Sequence, residues 1–158
     1  MRIVVCSDSH NNFHKLHQMA EQRKDAHLFL HLGDGEREFE DLACLYPQKR
    51  FLSVRGNCDW ASVAKSEDVV ILNDKRIFFT HGHLYGVKRN TDRLLERAVE
   101  LNADICCFGH THTPLSLYRD GVYLLNPGSL SQPRVGFPSY AVIDLTQAGV
   151  AIHHTTLR

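Results

Sequence analysis

The stretch Arg2-Ile3-Val4-Val5-Cys6-Ser7-Asp8-Ser9-His10 decides how the rest of the chain is read. A β-branched apolar run stops abruptly at an Asp-x-His triplet. The run over 2–7 predicts a buried first strand, because continuous Ile/Val stretches of this length suit a sheet covered on both faces. The same pairing of apolar run and polar punctuation recurs. Residues 27–32 (HLFLHL) stop at Gly33-Asp34-Gly35, residues 50–55 at Gly56-Asn57, residues 76–80 at His81-Gly82-His83, and residues 105–108 at Gly109-His110-Thr111-His112.

Between these runs the periodicity changes. A helix is expected over about 12–23, with Leu16, Met19 and Ala20 inward, and another over 36–45, with Phe39, Leu42, Ala43 and Leu45 on its apolar side. A third is expected over 91–101, with Thr91 as N-cap and Leu94, Leu95, Ala98, Val99 and Leu101 as its stripe. Residues 68–72 and 76–80 read as a hairpin about Asn73-Asp74, and 115–126 as a hairpin turning on Asp120-Gly121. Late strands follow at 139–144 and 150–155. Strand–helix alternation followed by mostly strand predicts an α/β fold of mixed sheets with helices outside, which a four-layer sandwich would suit. With no repeat or low-complexity linker, residues 1–158 are read as a single domain.

Bulk composition narrows the function without choosing it. A chain of 158 residues, 43% hydrophobic, needs no staples for its core. Its 18 basic and 18 acidic residues cancel, and Trp60 is its one tryptophan, so no stable nucleic-acid complex is expected. The N-terminal apolar run is too short for a signal peptide and no stretch reaches membrane-spanning length, so no membrane association is expected. The five cysteines (Cys6, Cys44, Cys58, Cys106, Cys107) form no C-x-x-C pair and read as buried reduced thiols of a cytoplasmic protein. Of the 11 histidines, His14, His17, His27, His31, His153 and His154 have no partner visible in the sequence.

The remaining five histidines stand in the strand-end clusters. In open α/β sheets, ligands bind beyond the carboxyl ends of the strands. An isolated Asp-x-His reads more readily as a cap or turn, and only all the clusters together, each after a strand, carry a site. Asp8, His10, Asp34, Asn57, His81, His110 and His112 supply two carboxylates, four imidazoles and one amide oxygen. Mixed N/O donors of this kind suit Mn, Fe, Zn or Ni better than Ca or Mg. Seven are too many for one tetrahedral ion, whereas two ions about 3.5–4 Å apart would use them.

On these motifs the chain resembles the calcineurin-like metallophosphoesterases, whose pattern is DxH, GD, GNH with an acidic residue, a His before Gly, and GHxH. Here it reads Asp8-Ser9-His10, Gly33-Asp34, Gly56-Asn57-Cys58-Asp59, His81-Gly82-His83 and Gly109-His110-Thr111-His112. The compact spacing, with Asn126-Pro127-Gly128-Ser129 and Pro133-Arg134, is similar to the short, cap-less, YfcE-like phosphodiesterase branch. The resemblance implies a four-layer sandwich of two mixed β-sheets flanked by helices. It also implies one ion on Asp8, His10 and His112, a second on Asn57, His81 and His110, and Asp34 bridging both. A bridging hydroxide would attack the phosphorus of a small-molecule phosphodiester or nucleotide. A homo-oligomer belongs to the same expectation.

Two positions depart from the family. Cys58 replaces the histidine that binds phosphate and protonates the leaving oxygen, and a thiol is a poor stand-in for an imidazole. Weak monoester activity is therefore expected, with Asp59 and His83 as substitute proton donors, or His83 equally as a hydrogen-bonding support of the site. Asn11 replaces a glycine, and asparagine tolerates left-handed backbone better than most residues. Trp60 either lines the pocket mouth or packs on its loop. The rival reading is a non-catalytic binding scaffold of the same fold, as in the retromer subunit related to this branch. A barrel amidohydrolase would need roughly 250 residues.

Overall fold

Alternation along the strands sets the layers. In β1 (Arg2–Cys6), Ile3 and Val5 point one way and Val4 and Cys6 the other, and all four are buried. A strand with both faces apolar must be covered on both sides. A computed structural model, describing residues 1–157, shows what covers them.

Beyond β1 the order is α1 (Phe13–Gln22), β2 (Leu28–His31), α2 (Glu36–Leu45), β3 (Arg50–Ser53), β4 (Glu67–Leu72) and β5 (Lys75–Thr80). After a short 3-10 turn at His83–Tyr85 come α3 (Asp92–Glu100), β6 (Ile105–Phe108), β7 (Leu115–Arg119), β8 (Val122–Asn126), β9 (Ser139–Thr146) and β10 (Gly149–Thr156). One five-stranded sheet runs β10-β9-β1-β2-β3 and the other β4-β5-β6-β8-β7. Within each, three strands are parallel (β1, β2, β3 and β5, β6, β8) and the others antiparallel.

Ile3, Val5, Leu28 and Leu30 of the first sheet meet Ile77, Phe79, Ile105, Cys107 and Leu125 of the second in one continuous core. The opposite faces take helices. Val4, Cys6 and Phe29 pack with Leu16 and Met19 of α1 and Phe39 and Leu42 of α2. Phe78, Cys106, Phe108 and Leu124 pack with Leu94, Leu95 and Ala98 of α3. The result is helix, sheet, sheet, helix: the expected four-layer α/β sandwich.

The differences from expectation are local. Thr91 occupies the N-cap of α3 without a side-chain bond, because Asn90 accepts from the Asp92 amide instead. Leu45 is 56% exposed, since the inward face of α2 is used by Glu38, Phe39 and Leu42. Val99 also faces solvent. Cys6, Cys106 and Cys107 are buried free thiols, whereas Cys44 and Cys58 are exposed. No described helix is long and apolar enough to cross a membrane.

Because the central strands are parallel, their carboxyl ends share one edge of the sandwich. The expected site clusters follow those ends directly. Phe79 is the largest buried side chain between the two sheets. Phe79→Ala is expected to cost about 3–5 kcal/mol in urea unfolding; a loss below about 1 kcal/mol would show that the inter-sheet layer tolerates a void.

Candidate metal centre

The donor loops carry local strain. Asp8, His10, Asp34, His110 and His112 all have left-handed backbone, with φ of 54°, 44°, 58°, 67° and 57°. Such non-glycine conformations cost roughly 1–2 kcal/mol each and persist only when the surroundings over-determine them. Here they do. The Asp8 amide donates to Gly33 O at 3.0 Å, the His10 amide to Asp34 O at 2.9 Å, and the Gly109 amide to His81 O at 3.1 Å. Asn11, in place of the family glycine, adopts φ 62° as its type allows.

These loops bring the seven expected donors into two adjoining groups. In one, His112 Nε2 lies 3.0 Å from Asp8 Oδ1 and 3.3 Å from His10 Nε2. In the other, His81 Nε2 lies 3.4 Å from Asp34 Oδ2, 3.1 Å from Asn57 Oδ1 and 3.2 Å from His110 Nδ1. Donor atoms of Asp34 also come within 4.8 Å of both His10 and Cys58. Asp34 is thus within reach of both groups. The His110 amide donates to Asp8 Oδ2 at 3.1 Å, fastening one group to the other.

The hydrogen bonds around the rings show what is missing. His81 Nδ1 faces Leu32 O, and His112 Nδ1 faces Gln132 O, each at 2.7 Å. A carbonyl only accepts, so each Nδ1 carries the proton, and in the neutral ring Nε2 presents a lone pair inward. Those lone pairs face carboxylate, amide and imidazole acceptors, and Asp8 Oδ1 is buried with no hydrogen-bond partner. Positive charge satisfies such a convergence, either as protons on the rings facing Asp8 and Asp34 or as a metal ion that engages all the donors at once. Backbone carbonyls that set the far nitrogen are the usual outer support of metal-binding histidines. The residues present therefore fit divalent metal.

Ionisation follows the same field. The Asp8 bond raises His112, whereas burial would lower His81 but Asp34 and Asp8 outweigh it and raise it. Burial would raise Asp8 and Asp34; His112 and His81 respectively override it and hold both carboxyls below their usual range. Burial, then His81, lowers His110 to about 4.

Sequence reasoning missed the supports behind this edge. His31, for which the sequence showed no partner, is fully buried; its Nδ1 accepts from the Gly33 amide at 3.1 Å. Its Nε2 then donates to Ser9 Oγ at 3.1 Å, and Ser9 donates to Glu38 Oε1 at 2.7 Å. The same Glu38 oxygen accepts the Asn11 amide at 2.7 Å, clamping the Asp-x-His loop to α2. The Asn-Pro-Gly-Ser segment ties the other side. Asn126 Nδ2 donates to Gly109 O at 2.9 Å, and Ser129 Oγ to Asp8 O at 2.7 Å. His154 Nε2 in turn donates to Asn126 O at 2.7 Å. Gly56 and Gly109 are needed for close approach: a Cβ at Gly56 would stand 2.0 Å from Asp34 Oδ1, and one at Gly109 2.0 Å from Ser7 Oγ.

The residues around the departure take distinct places. Asp59 does not stand as a free proton donor. Its carboxylate accepts from the amides of Asp34, Gly35, Glu36 and Gly56 at 2.7–3.1 Å, capping α2 from a distant loop. Cys58 lies at the rim, its amide donating to Asp34 Oδ1 at 2.7 Å, and burial followed by Asp34 pushes its thiol up to about 11. His83 has a buried Nδ1 without a partner, and its ring centroid is 5.4 Å from that of His81. Burial, then His81, lowers its pKa. Trp60 is 92% exposed and lines the groove beside Asp34 and Cys58, so it does not pack on its loop.

The family model for the calcineurin-like phosphoesterase superfamily domain matches residues 1–148. The chain belongs to that superfamily. Among relatives of this phosphoesterase, the probable metallophosphoesterase YsnB of Bacillus subtilis is 38% identical over 92% of the chain and 85% of its own length. Phosphodiesterase YfcE of Escherichia coli K12 is 35% identical over 60% of the chain, which spans about half of that protein, 53%. A predicted phosphoesterase structure from Streptococcus pneumoniae superposes with TM-score 0.85 at 29% identity, covering 98% of this chain and 88% of the other. Vps29 of Entamoeba histolytica shares the fold at TM-score 0.77 and 21% identity, covering all of both chains. Membership implies divalent metal ions, in agreement with the donor geometry.

Two outcomes follow. Asp59→Ala leaves four amides without their carboxylate and is expected to cost about 2–3 kcal/mol in urea unfolding; an unchanged midpoint would show the anchor is dispensable. Burial holds His31 at about 4, so the unfolded chain binds its proton first as pH falls. This contribution to stability is complete above the unfolded value near 6.5 and lost as pH drops toward 4. In metal-free protein, His31→Gln is expected to flatten the unfolding free energy across that window by up to ~1.4 kcal/mol per pH unit. An unaltered slope in urea titrations would assign it to other groups.

Proposed function

We propose that this phosphoesterase hydrolyses small phosphodiesters, nucleotide esters among them, with two divalent ions held by the seven converging side chains and manganese as the first choice. The observation that carries the reading is the pair of donor groups, Asp8–His10–His112 and Asp34–His81–His110, with Asp34 in reach of both. Asn57 completes the second group through its 3.1 Å approach to His81. When bound, the ions supply Lewis acidity at the phosphoryl oxygens and lower the pKa of water enough to give a nucleophile at neutral pH.

The chain's own residues do the rest. Asp8, His10 and His112 would hold one ion and Asn57, His81 and His110 the other, with Asp34 in reach of both groups. His31, Glu38 and Asp59 keep the loops in place, so the donors need no rearrangement when substrate arrives. With Asp59 engaged by four amides, His83, kept neutral by burial and His81, is the group that donates a hydrogen bond to the leaving oxygen. Cys58 sits where an imidazole would hold a monoester's extra charge. A thiol does this poorly, which favours diesters and good leaving groups. The name of the YfcE relative, a phosphodiesterase, agrees. Five free cysteines suit a cytoplasmic setting.

The non-catalytic scaffold remains the alternative, since Vps29 has the same fold. Chelator-stripped protein given manganese is expected to cleave bis(p-nitrophenyl) phosphate and barely touch p-nitrophenyl phosphate. Cys58→His should raise monoester turnover by about a hundredfold, the lower end of what a placed acid contributes. Strong monoester turnover by the unaltered chain would remove the argument from Cys58. Two bound ions without activity in manganese, nickel, zinc or iron would establish the scaffold instead.

A further inference from the structure

A groove of about 400 Å³ opens directly off the donor groups. One end is formed by His10, Asp34 and Cys58; beyond them its walls are the start of α2, with Glu36, Arg37 and Glu40, and the loop bearing Trp60 and Val63. Trp60 has no ring contact, hydrogen bond or cation partner among the described residues, and is 92% exposed. Tryptophan is normally well buried on average, so a ring left in water beside a reaction centre calls for a ligand rather than a folding role.

The loop that presents the ring is fastened. Asp59, its neighbour, binds the amides of Gly35 and Glu36 across the groove. The Ser62 amide donates to Asp59 O at 3.1 Å, and the Ala64 amide to Ser62 Oγ at 3.0 Å. The carboxylate that caps α2 therefore also sets the distance between the two walls. With the backbone of the loop fixed, only the two side-chain torsions of Trp60 remain to be ordered when something stacks on it.

Charge narrows what that something is. The carboxylates of Glu36 and Glu40 have no hydrogen-bond or ion-pair partner among the described residues, and Arg37 is the one lysine or arginine lining the groove. With Asp34, Glu38 and Asp59 also in its walls, the groove opposes an arm bearing phosphates of its own.

We propose that Trp60 determines specificity by stacking on a planar aromatic arm of the phosphodiester, aryl or nucleoside, that carries no further phosphate. The proposal rests on the phosphodiesterase reading above and adds its substrate class. Aromatic faces accept any base, so the contact selects for an aromatic arm without choosing among bases.

The test uses the chain's single tryptophan as its own reporter. In zinc-supplemented protein, thymidine 5′-phosphate is expected to change Trp60 fluorescence saturably, whereas methyl phosphate and inorganic phosphate do not. With manganese, Trp60→Ala should lower kcat/KM for bis(p-nitrophenyl) phosphate by about tenfold, the size of one stacking contact, mainly through KM. Trp60→Phe should recover most of it, with circular dichroism and metal content unchanged in both. No saturable response, or full kcat/KM in Trp60→Ala, overturns the subsite while metal-restored turnover leaves the phosphodiesterase reading standing. If the parent chain turns over nothing with any metal, that reading falls, and the fluorescence titration alone decides whether the groove takes an aromatic ligand.

Discussion

Two buried carboxylates and four imidazoles aim their lone pairs at one another at one edge of this protein. His112 Nε2 faces Asp8 Oδ1 at 3.0 Å, and His81 Nε2 faces Asp34 Oδ2 at 3.4 Å, with backbone carbonyls holding the ring protons on the far side. Without positive charge this is a repulsive arrangement taken out of water, which costs several kcal/mol per unpaired ion. The surrounding edge is built to keep these atoms together despite that cost. In the same stroke it prepares a place where divalent cations bind strongly.

The sandwich supplies the rigidity this requires. Parallel central strands deliver every donor loop to one edge, and three apolar layers hold those strands in register. Above the strands, hydrogen-bonded supports replace apolar packing: Ser9, His31 and Glu38 behind one loop, Asn126 and Ser129 behind another, and Asp59 across two. The left-handed donors are stable only because these bonds leave the backbone no cheaper conformation. Asp59 has a double role, since the carboxylate that orders Asp34 also positions the Trp60 loop against α2. Chemistry and the adjoining groove thus share an anchor, and a change in one is felt in the other.

Most of this edge was legible before the fold was known. Asp8, His10, Asp34, Asn57, His81, His110 and His112 each follow an apolar run, and metal chemistry restricts donors to few residue types. The supports were harder to see. His31 looks like any strand histidine, and Glu38 and Leu45 lie two turns apart on one helix face, where a pattern of apolar residues favours the leucine. The structure buries Glu38 and exposes Leu45, because a hydrogen-bond requirement from Ser9 and Asn11 outweighs hydrophobic periodicity at that position. Thr91 and Asp59 also depart from their expected roles: at α3 the neighbouring Asn90 takes a bond in place of Thr91, and at α2 the tertiary fold brings Asp59 from a distant loop to cap the helix.

The sequence alone therefore determined the strand and helix order and the four-layer α/β class through local periodicity, and its motifs pointed to the family and to seven candidate donors through residue chemistry at fixed spacing. The tertiary structure decided how the donors divide into two groups, with Asp34 in reach of both, that Asp59 is an anchor, that Glu38 clamps the Asp-x-His loop, and that Trp60 stands free in a groove. Those properties are distances between residues far apart in the chain. No periodicity encodes them, and only the packing of two sheets and their helices brings the atoms within a few ångströms.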